Sequence, residues 1–159
     1  NNFGGFGQQG YGYNIKGLYK EISTILGLDR EYKMVIVGTG NLGQALANYT
    51  KYYKLGFPII GMFDVNPKII GLRINDIEVM DSENLLDFLN SNHVDIGIIT
   101  TDKAAAQSVA NKLVEGGVRG IWNFAPCDLK VPKNVPVENV HVTDTLNSLV
   151  YHIIHAEDD

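Results

Sequence analysis

The chain has 159 residues and a formal net charge of −5, from 13 Lys and Arg against 18 Asp and Glu. This length suits one α/β domain and is too short for a cofactor domain joined to a separate substrate domain. The acidic balance excludes a surface dominated by phosphate-binding cations, so the chain alone is expected to bind DNA poorly. No apolar run approaches the roughly 18 residues of a membrane-spanning helix. The single cysteine, Cys127, excludes an intrachain disulfide and favours a reducing, cytoplasmic setting.

The first 13 residues are rich in glycine and aromatic side chains. Five of the 17 glycines lie between Gly4 and Gly12. Glycine at this density leaves the backbone too permissive for a helix, so residues 1–13 are predicted to form a linker, either a hinge or a plain tether. Because the chain begins with Asn1 and not with methionine, it is expected to be a piece of a longer protein.

A regular alternation of helical and extended patterns follows the linker. Apolar residues at helical spacing lie between Asn14, a candidate N-cap, and Gly27. Short Val- and Ile-rich runs then occur at 34–37, 59–63, 77–80, 95–100, 120–124 and 140–142, with helical patterns at 42–53, 83–90, 103–115 and 144–154. Parallel strands that are buried on both faces and linked by helices produce this pattern. The sequence predicts a doubly wound, mostly parallel α/β sheet of the Rossmann type over 14–143, followed by a helix and tail over 144–159.

A glycine-rich turn joins the first predicted strand to the next helix. Its residues are, in order, Gly38, Thr39, Gly40, Asn41, Leu42 and Gly43. The first glycine permits the tight turn, the second lets the backbone approach a pyrophosphate, and the third lets the helix pack closely on the strand. The helix N-terminus offers free N–H groups and a positive dipole end to the phosphates. This context predicts a dinucleotide site, with a scaffold that binds nothing as the alternative.

An acidic residue follows the second predicted strand. Asp64, next to Val65, lies about twenty residues beyond Gly43, where a carboxylate can accept hydrogen bonds from an adenosine ribose. A carboxylate repels the 2′-phosphate of NADP, and no arginine occurs at positions 65–67. Asp64 and Val65 are therefore predicted to contact NAD(H), unless Asp64 is an ordinary acid at a strand end.

Further candidates follow the fourth and fifth predicted strands, at the edge where open α/β sheets bind ligands. Thr100 and Thr101 are placed to contact the ribose or nicotinamide, although Thr101 or Asp102 equally suits the N-cap of the next helix. After the fifth predicted strand, a group of four residues combines an amide, an aromatic ring and a rigid proline. This combination suits either a wall for the nicotinamide ring or a plain loop. Its members are Asn123, Phe124, Ala125 and Pro126. Cys127 lies beside them and is predicted to be a small packing residue, with a redox-sensitive thiol as the alternative.

The chain lacks an evident acid or base for hydride-transfer chemistry. His93 precedes a predicted strand and so lies at the opposite edge, while His152 and His155 lie on the last helix. No tyrosine is followed four residues later by a lysine, which excludes a Tyr/Lys dyad. The sequence thus predicts no catalytic residue and no metal site, and it favours an NAD(H) sensor. The enzyme alternatives are the cofactor domain of an NAD-dependent dehydrogenase and the CoA-binding domain of an acyl-CoA ligase subunit.

Six segments form a specific combination: 11–14, 25–30, 37–43, 63–67, 105–107 and 123–126. In this combination the chain resembles, over essentially its whole length, the Rex family of bacterial redox-sensing transcriptional repressors. The resemblance implies a homodimer with an NADH- and NAD⁺-binding Rossmann domain, a C-terminal helix exchanged between subunits, and a winged-helix domain missing from this sequence. Operator DNA would bind only through that missing domain, and NADH would shift the dimer out of its DNA-binding state. The resemblance also places residues 38–43 at the pyrophosphate, Asp64 at the ribose, and Tyr13 near the nicotinamide and the subunit interface.

Two positions depart from the family pattern. His141 stands where many members carry an aspartate that pairs with the residue equivalent to Tyr13, which implies coupling through Asp144 or a pH-sensitive His141. Asp102 replaces a frequent proline, which makes Thr100 and Thr101 weaker candidates.

An apolar stripe on the last helix suits either closure of the subunit's own core or the exchanged dimer helix. The stripe consists of Leu146, Leu149, Val150, Ile153 and Ile154.

Overall fold

The computed structural model describes residues 17, 18, 20–22, 25, 30–49 and 55–157, except for the side chains of Val142 and Glu157. Residues 17, 18, 20–22 and 25 are helical and fall in the segment where the sequence predicts a helix. The predicted linker 1–13, with the predicted contact Tyr13, lies outside the described residues.

From residue 30 onward, the order of strands and helices follows the prediction with two differences. The helix predicted at 42–53 ends at Ala47, and the strand Arg73–Ile74 was not predicted. In chain order the elements are β1 (Met34–Val37), α1 (Asn41–Ala47), β2 (Ile59–Asp64), β3 (Arg73–Ile74), β4 (Ile77–Asp81), α2 (Leu85–Ser91), β5 (Ile96–Ile99), α3 (Lys103–Glu115), β6 (Gly120–Asn123), β7 (Val137–Asn139) and α4 (Val142–Glu157). A 3₁₀ turn, Ser82–Asn84, precedes α2. Within the described part of the chain, no helix combines the length and apolarity needed to cross a membrane.

The strands form one sheet in the order β3-β4-β2-β1-β5-β6-β7. Neighbouring strands pair in parallel, except that β3 and β4 pair in antiparallel fashion. Without β3, this is the strand order of the doubly wound dinucleotide-binding fold, in which the winding reverses between β1 and β5. The predicted fold class is therefore confirmed, and the carboxyl ends of β1, β2, β5 and β6 share one edge of the sheet.

The last strand differs from the prediction. The sequence predicts a strand at 140–142, but the strand lies at Val137–Asn139, and α4 already begins at Val142. The strand begins directly after Pro136, which is tolerated because β7 is at the edge of the sheet. The Val140 N–H still donates to the Asn123 carbonyl oxygen at 2.9 Å, so contact with β6 continues for one residue beyond β7.

Apolar side chains cover both faces of the sheet. On one face, Leu85 of α2 and Leu113 of α3 pack into a cluster that includes Phe63. On the other face, Ala47 of α1 packs with strand residues that include Ile36. All four residues of β1 are at most 2% exposed. Burial on both faces explains why the strands read as unbroken apolar runs.

The C-terminal helix α4 is not part of this core. Every side chain described between residues 143 and 156 is exposed. The apolar stripe predicted on this helix is between 45% and 58% exposed, from Val150 to Leu146. The alternative in which the stripe closes the subunit's own core is therefore wrong.

Asp95 is a buried carboxylate at the amino edge of the sheet, opposite the glycine turn. It is 5% exposed, and its Oδ2 accepts a hydrogen bond from the Lys33 backbone N–H at 2.9 Å. Its Oδ1 lies 2.8 Å from His93 Nε2 and 3.6 Å from Arg119 Nη1. Burial raises the pKa of Asp95, but the hydrogen bonds from Lys33 and His93 and the charges of His93 and Arg119 outweigh it. The net pKa of Asp95 is lower than its ordinary value of 3.8.

This lowered pKa predicts an acid-dependent contribution to stability. Because the folded carboxyl binds its proton more weakly than the unfolded one, its contribution is present above 3.8 and is lost as the pH falls through the folded pKa. We expect Asp95→Asn to lower the free energy of unfolding at neutral pH. The difference from the wild type should shrink as the pH falls below 3.8. Urea unfolding across this range measures it, and a difference that does not change with pH would contradict the assignment.

Candidate functional site

The glycine turn lies between β1 and α1, and two of its glycines are required by close backbone contacts. Gly38 has a φ of +104°, and a Cβ on it would lie 2.8 Å from the Thr100 carbonyl carbon. A Cβ on Gly43 would lie 2.1 Å from the Gly38 carbonyl oxygen. A Cβ on Gly40 would meet no atom within 4 Å, so the backbone there faces open space. This opening lets a pyrophosphate approach the turn.

Asp64, the last residue of β2, is hydrogen-bonded to this turn. Its Oδ2 accepts from the backbone N–H and the hydroxyl of Thr39, both at 2.7 Å. Its Oδ1 accepts from the backbone N–H groups of Val65 at 2.7 Å and Asn66 at 2.8 Å. The Thr39 carbonyl oxygen accepts from the Gln44 side chain at 2.9 Å. The structure thus brings Asp64 next to the glycine turn, and it adds Gln44, which the sequence motif does not include.

These hydrogen bonds keep Asp64 charged. Partial burial raises the pKa of Asp64, but the Thr39 hydroxyl and the backbone N–H groups of Asn66, Thr39 and Val65 outweigh that effect. The net pKa is lower than its ordinary value of 3.8. At neutral pH the carboxylate is therefore an acceptor only, as a ribose hydroxyl requires of its partner.

Thr100 holds the turn from the β5 side. Its hydroxyl donates to the Gly38 carbonyl oxygen and lies 3.2 Å from the Val37 carbonyl oxygen. Thr101 instead donates from its hydroxyl to the Asp102 carbonyl oxygen at 3.1 Å. Asp102 is the N-cap of α3, since its carboxylate accepts from the Ala105 N–H at 3.0 Å. Of the two readings of this segment, the N-cap therefore applies to Asp102.

Asn123 at the end of β6 is fully buried. Its Nδ2 donates to the carbonyl oxygens of Ala125 at 3.2 Å and Cys127 at 3.1 Å, and to Asn139 Oδ1 at 2.9 Å. Its Oδ1 accepts from the Ala125 N–H at 3.0 Å. These hydrogen bonds within the chain show that the Asn123 amide shapes the loop. The sequence gives no signal for the partner Asn139, which is 16 residues away.

The rest of this loop presents an aromatic ring and a proline. Phe124 is half-buried, with its ring centroid 4.7 Å from that of Trp122 in an edge-to-face arrangement. Ala125 is buried, Pro126 is exposed, and Cys127 is half-buried against the core. The Phe124 N–H donates to the Ile99 carbonyl oxygen at 2.9 Å, so the loop starts beside the end of β5.

The remaining predicted contacts lie at the rim of the turn. Asn41, Leu42 and Val65 are exposed, with Leu42 at 41% and Val65 at 78%. Three of the four histidines lie elsewhere: His93 contacts Asp95 at the opposite edge, and His152 and His155 lie on the exposed helix α4. The fourth, His141, is exposed in the segment between β7 and α4. Among the described residues, no group of three or more His, Cys, Asp or Glu is arranged to hold a metal ion.

The strand order, the glycine turn and the carboxylate at the end of β2 together define a Rossmann-type nucleotide-binding domain. An open backbone at Gly40 fits a diphosphate, and the charged Asp64 beside it fits a ribose diol. Residues 29–127 match the family model for a CoA binding domain, so the chain belongs to that domain family.

Curated relatives identify a narrower group. The redox-sensing transcriptional repressor Rex of Clostridium botulinum (strain Eklund 17B / Type B) is 57% identical over 153 residues, which cover 96% of this chain and 73% of the relative. The repressor Rex of Clostridium perfringens (strain SM101 / Type A) is 56% identical over 157 residues, which cover 99% of this chain and 74% of the relative. This chain belongs to the Rex family of redox-sensing transcriptional repressors, not to a family of enzymes.

Solved structures agree. The complex of RSP with β-NADH matches with a TM-score of 0.85 and 49% identity over 90% of this chain and 69% of that chain. The complex of RSP with β-NAD⁺ and operator DNA matches with a TM-score of 0.86 and 54% identity over 99% of this chain and 72% of that chain. RSP is itself a Rex-family repressor.

Proposed function

We propose that this chain is the NADH- and NAD⁺-sensing regulatory domain of a redox-responsive bacterial repressor. The observation that carries the proposal is the charged Asp64 hydrogen-bonded to the glycine turn, in a chain whose solved relative binds β-NADH and β-NAD⁺. NADH binding shifts the dimer out of its DNA-binding state. A ligand can do this only through a difference in affinity between the two states.

Each part of the site takes one part of NAD(H). The turn 38–43, open at Gly40, receives the pyrophosphate, and the carboxylate of Asp64 accepts from the adenosine ribose. Phe124 and Pro126 form a wall for the nicotinamide ring, and Thr100 lies between this wall and the turn. Tyr13 completes the nicotinamide site by resemblance to the family. When bound, NAD(H) supplies a ring that is cationic when oxidised and neutral when reduced.

This wall favours the reduced ring. A half-buried phenylalanine and a proline offer no charge to compensate the oxidised nicotinamide, and moving an uncompensated cation out of water costs free energy. The neutral ring of NADH avoids that cost. We therefore expect NADH to bind more tightly than NAD⁺.

CoA is a poorer fit than NAD(H), although residues 29–127 match the CoA binding domain model. CoA has no second ribose and no nicotinamide, so it leaves the wall at Phe124 and Pro126 without a partner. Dehydrogenase activity is not supported either, because the curated relatives are repressors.

Titration of the chain with NADH, NAD⁺, NADPH and CoA tests the proposal. Isothermal calorimetry should rank NADH first, NAD⁺ next, and NADPH and CoA well below them. If CoA binds more tightly than NADH, the NAD(H)-sensor proposal is wrong and the domain is a CoA-binding module. Binding of none of the four ligands would leave only a structural role for the domain.

The dimer proposed for this chain is built on α4. Its apolar stripe is about half exposed, with Leu149 at 55% and Ile153 at 50%, and apolar surface of this kind is stabilised by a partner. A second copy of this chain supplies the cover, through the helix exchange that the family resemblance implies. A regulator of this kind acts in the cytoplasm, which suits the unpaired Cys127.

The α4 assignment predicts a loss of dimerisation on mutation. The wild type should sediment at about twice 17.5 kDa at micromolar concentration. The double variant Leu149→Glu, Ile153→Glu should sediment as a monomer, because two carboxylates replace the centre of the stripe. Ser148→Glu, on the opposite side of the helix, is the matched control and should stay dimeric. A wild-type chain that sediments only as a 17.5 kDa species overturns the exchanged helix.

Operator DNA contact belongs to a winged-helix domain outside these 159 residues. The acidic net charge of −5 does not favour phosphate binding by the present chain, and this chain covers 73% of its first-named relative. Gel-shift assays with the chain alone should show no operator binding at physiological salt. Specific operator binding by this chain would show that it contacts DNA without a winged-helix domain.

A further inference from the structure

The peptide group that joins Thr39 to Gly40 is held by a side chain of α1. Its carbonyl oxygen accepts a hydrogen bond from Gln44 Nε2 at 2.9 Å, and within the described part of the chain Gln44 is the only donor to this oxygen. Gln44 is half-buried, and its backbone N–H donates to the following carbonyl oxygen, that of Gly40, at 3.0 Å. One residue of α1 therefore binds two successive carbonyl groups of the glycine turn.

This peptide group needs such a restraint because a glycine follows it. Glycine adopts a wider range of backbone conformations than other residues, so Gly40 itself offers little resistance to rotation of the peptide plane. Asp64 accepts from the N–H and the hydroxyl of Thr39, both at 2.7 Å. These two bonds hold the N–H and the side chain of Thr39, but they do not hold its carbonyl group. The direction of that carbonyl group is therefore set by Gln44.

The direction of the carbonyl group also sets the direction of the Gly40 N–H. None of the described peptide bonds is cis, and in a trans peptide the C=O and the N–H point in opposite directions. Because the Thr39 carbonyl oxygen is turned to Gln44, the Gly40 N–H points away from Gln44. Gly40 is exposed, a Cβ there would meet nothing within 4 Å, and its N–H has no acceptor among the described residues. The turn thus presents an unused donor at its open position.

We propose that Gln44 is a positioning residue for the pyrophosphate: it holds the Thr39 carbonyl oxygen and so keeps the Gly40 N–H directed at the ligand. This inference rests on the proposed NAD(H) site. An N–H that donates to a phosphate oxygen forms a charge-assisted hydrogen bond. The opposite orientation of the same peptide group presents a carbonyl oxygen to a negatively charged group. Gln44 strengthens binding by excluding that orientation, without touching the ligand itself.

Removing the donor of Gln44 should weaken the binding of ligands that carry a diphosphate. Gln44→Met keeps an unbranched side chain with a similar helix propensity and has no N–H to donate. We expect ADP, NADH and NAD⁺ each to bind this variant about tenfold more weakly, as expected for loss of one hydrogen bond to a charged acceptor. Adenosine, which has the ribose but no phosphate, should bind with the wild-type affinity because Asp64 is unchanged. Calorimetry measures the first three ligands, and an NMR titration measures adenosine.

Gln107 on α3 provides the matched control. It is also half-buried, and its Nε2 donates to the Lys130 carbonyl oxygen at 2.9 Å and to the side chain of Asn111, both outside the glycine turn. Gln107→Met removes the same kind of hydrogen bond and should leave the ADP affinity unchanged. Thermal unfolding shows whether each variant is folded, and Gln44→Ala is a second variant without the donor, with the same expected losses.

The amide resonance of Gly40 reports the orientation of the peptide group directly. In the wild type this resonance should shift on addition of ADP and not on addition of adenosine, and the shift with ADP should be smaller in Gln44→Met. If both Gln44 variants bind ADP as tightly as the wild type, or if adenosine loses affinity by the same factor as ADP, the role of Gln44 is overturned. NADH binding by the wild type would then still support the proposed function. If the wild type binds neither NADH nor ADP, both proposals fail.

Discussion

Gly43→Ala is expected to destabilise the domain by about 3 kcal/mol and to abolish measurable NADH binding. A Cβ at this position would lie 2.1 Å from the Gly38 carbonyl oxygen and 3.0 Å from Thr100 Oγ1. The first contact is with backbone, so it can be relieved only by moving α1 away from β1. That movement opens the turn and pulls the Thr39 N–H away from Asp64. Urea unfolding and calorimetric titration measure the two losses.

Gly40→Ala is the matched control within the same motif. Gly40 has a φ of −69°, which any residue adopts, and a Cβ there meets nothing within 4 Å. Its free energy of unfolding should therefore stay close to that of the wild type. NADH binding should weaken, because the added methyl group lies where the pyrophosphate approaches. Equal stability losses in the two variants would show that the close contact at Gly43 does not hold the turn.

Asp64→Ala is expected to weaken NADH binding about 10- to 100-fold, the range for loss of hydrogen bonds to a charged partner. NADPH should bind the variant better than it binds the wild type, because the charge that repels its 2′-phosphate is gone and four donors are left facing the space. The ratio of NADH to NADPH affinity should therefore fall by more than the NADH affinity itself. Competition titration with both cofactors measures that ratio.

Asp95→Asn is the control for the loss of a hydrogen-bonded carboxylate. Asp95 also has a lowered pKa and accepts a backbone N–H, but it lies at the opposite edge of the sheet. This variant should lose stability and keep the wild-type affinity for NADH. Unchanged NADH and NADPH affinities in Asp64→Ala would show that the ribose lies elsewhere.

The parallel core and the glycine turn could be predicted because local residue patterns determine them. Burial on both faces leaves unbroken apolar runs such as Met34–Val37, and Gly38 and Gly43 stand where the backbone leaves no room for a side chain. The position of Asp64 follows from its distance along the chain. These features need no knowledge of which distant residues meet.

The edges of the sheet and several side-chain roles could not be predicted, because they depend on contacts between distant residues. The short strands β3 and β7 carry too few residues for a periodic signal. The sequence places Asn123 in a candidate nicotinamide wall or a plain loop, but it does not indicate that the amide donates to Ala125, Cys127 and Asn139. Thr100 holds the turn through Gly38, 62 residues away along the chain.

The amide of Asn123 connects the loop after β6 to the last strand, β7. It holds the loop that carries Phe124 and Pro126, and through Asn139 it also holds the strand that leads into α4. The Asn123 carbonyl oxygen adds a second tie, to the Val140 N–H. The loop of Phe124 and Pro126 and the segment that leads into α4 therefore share one hydrogen-bonded anchor. In the proposed function, a ligand that displaces this loop would also displace the start of α4.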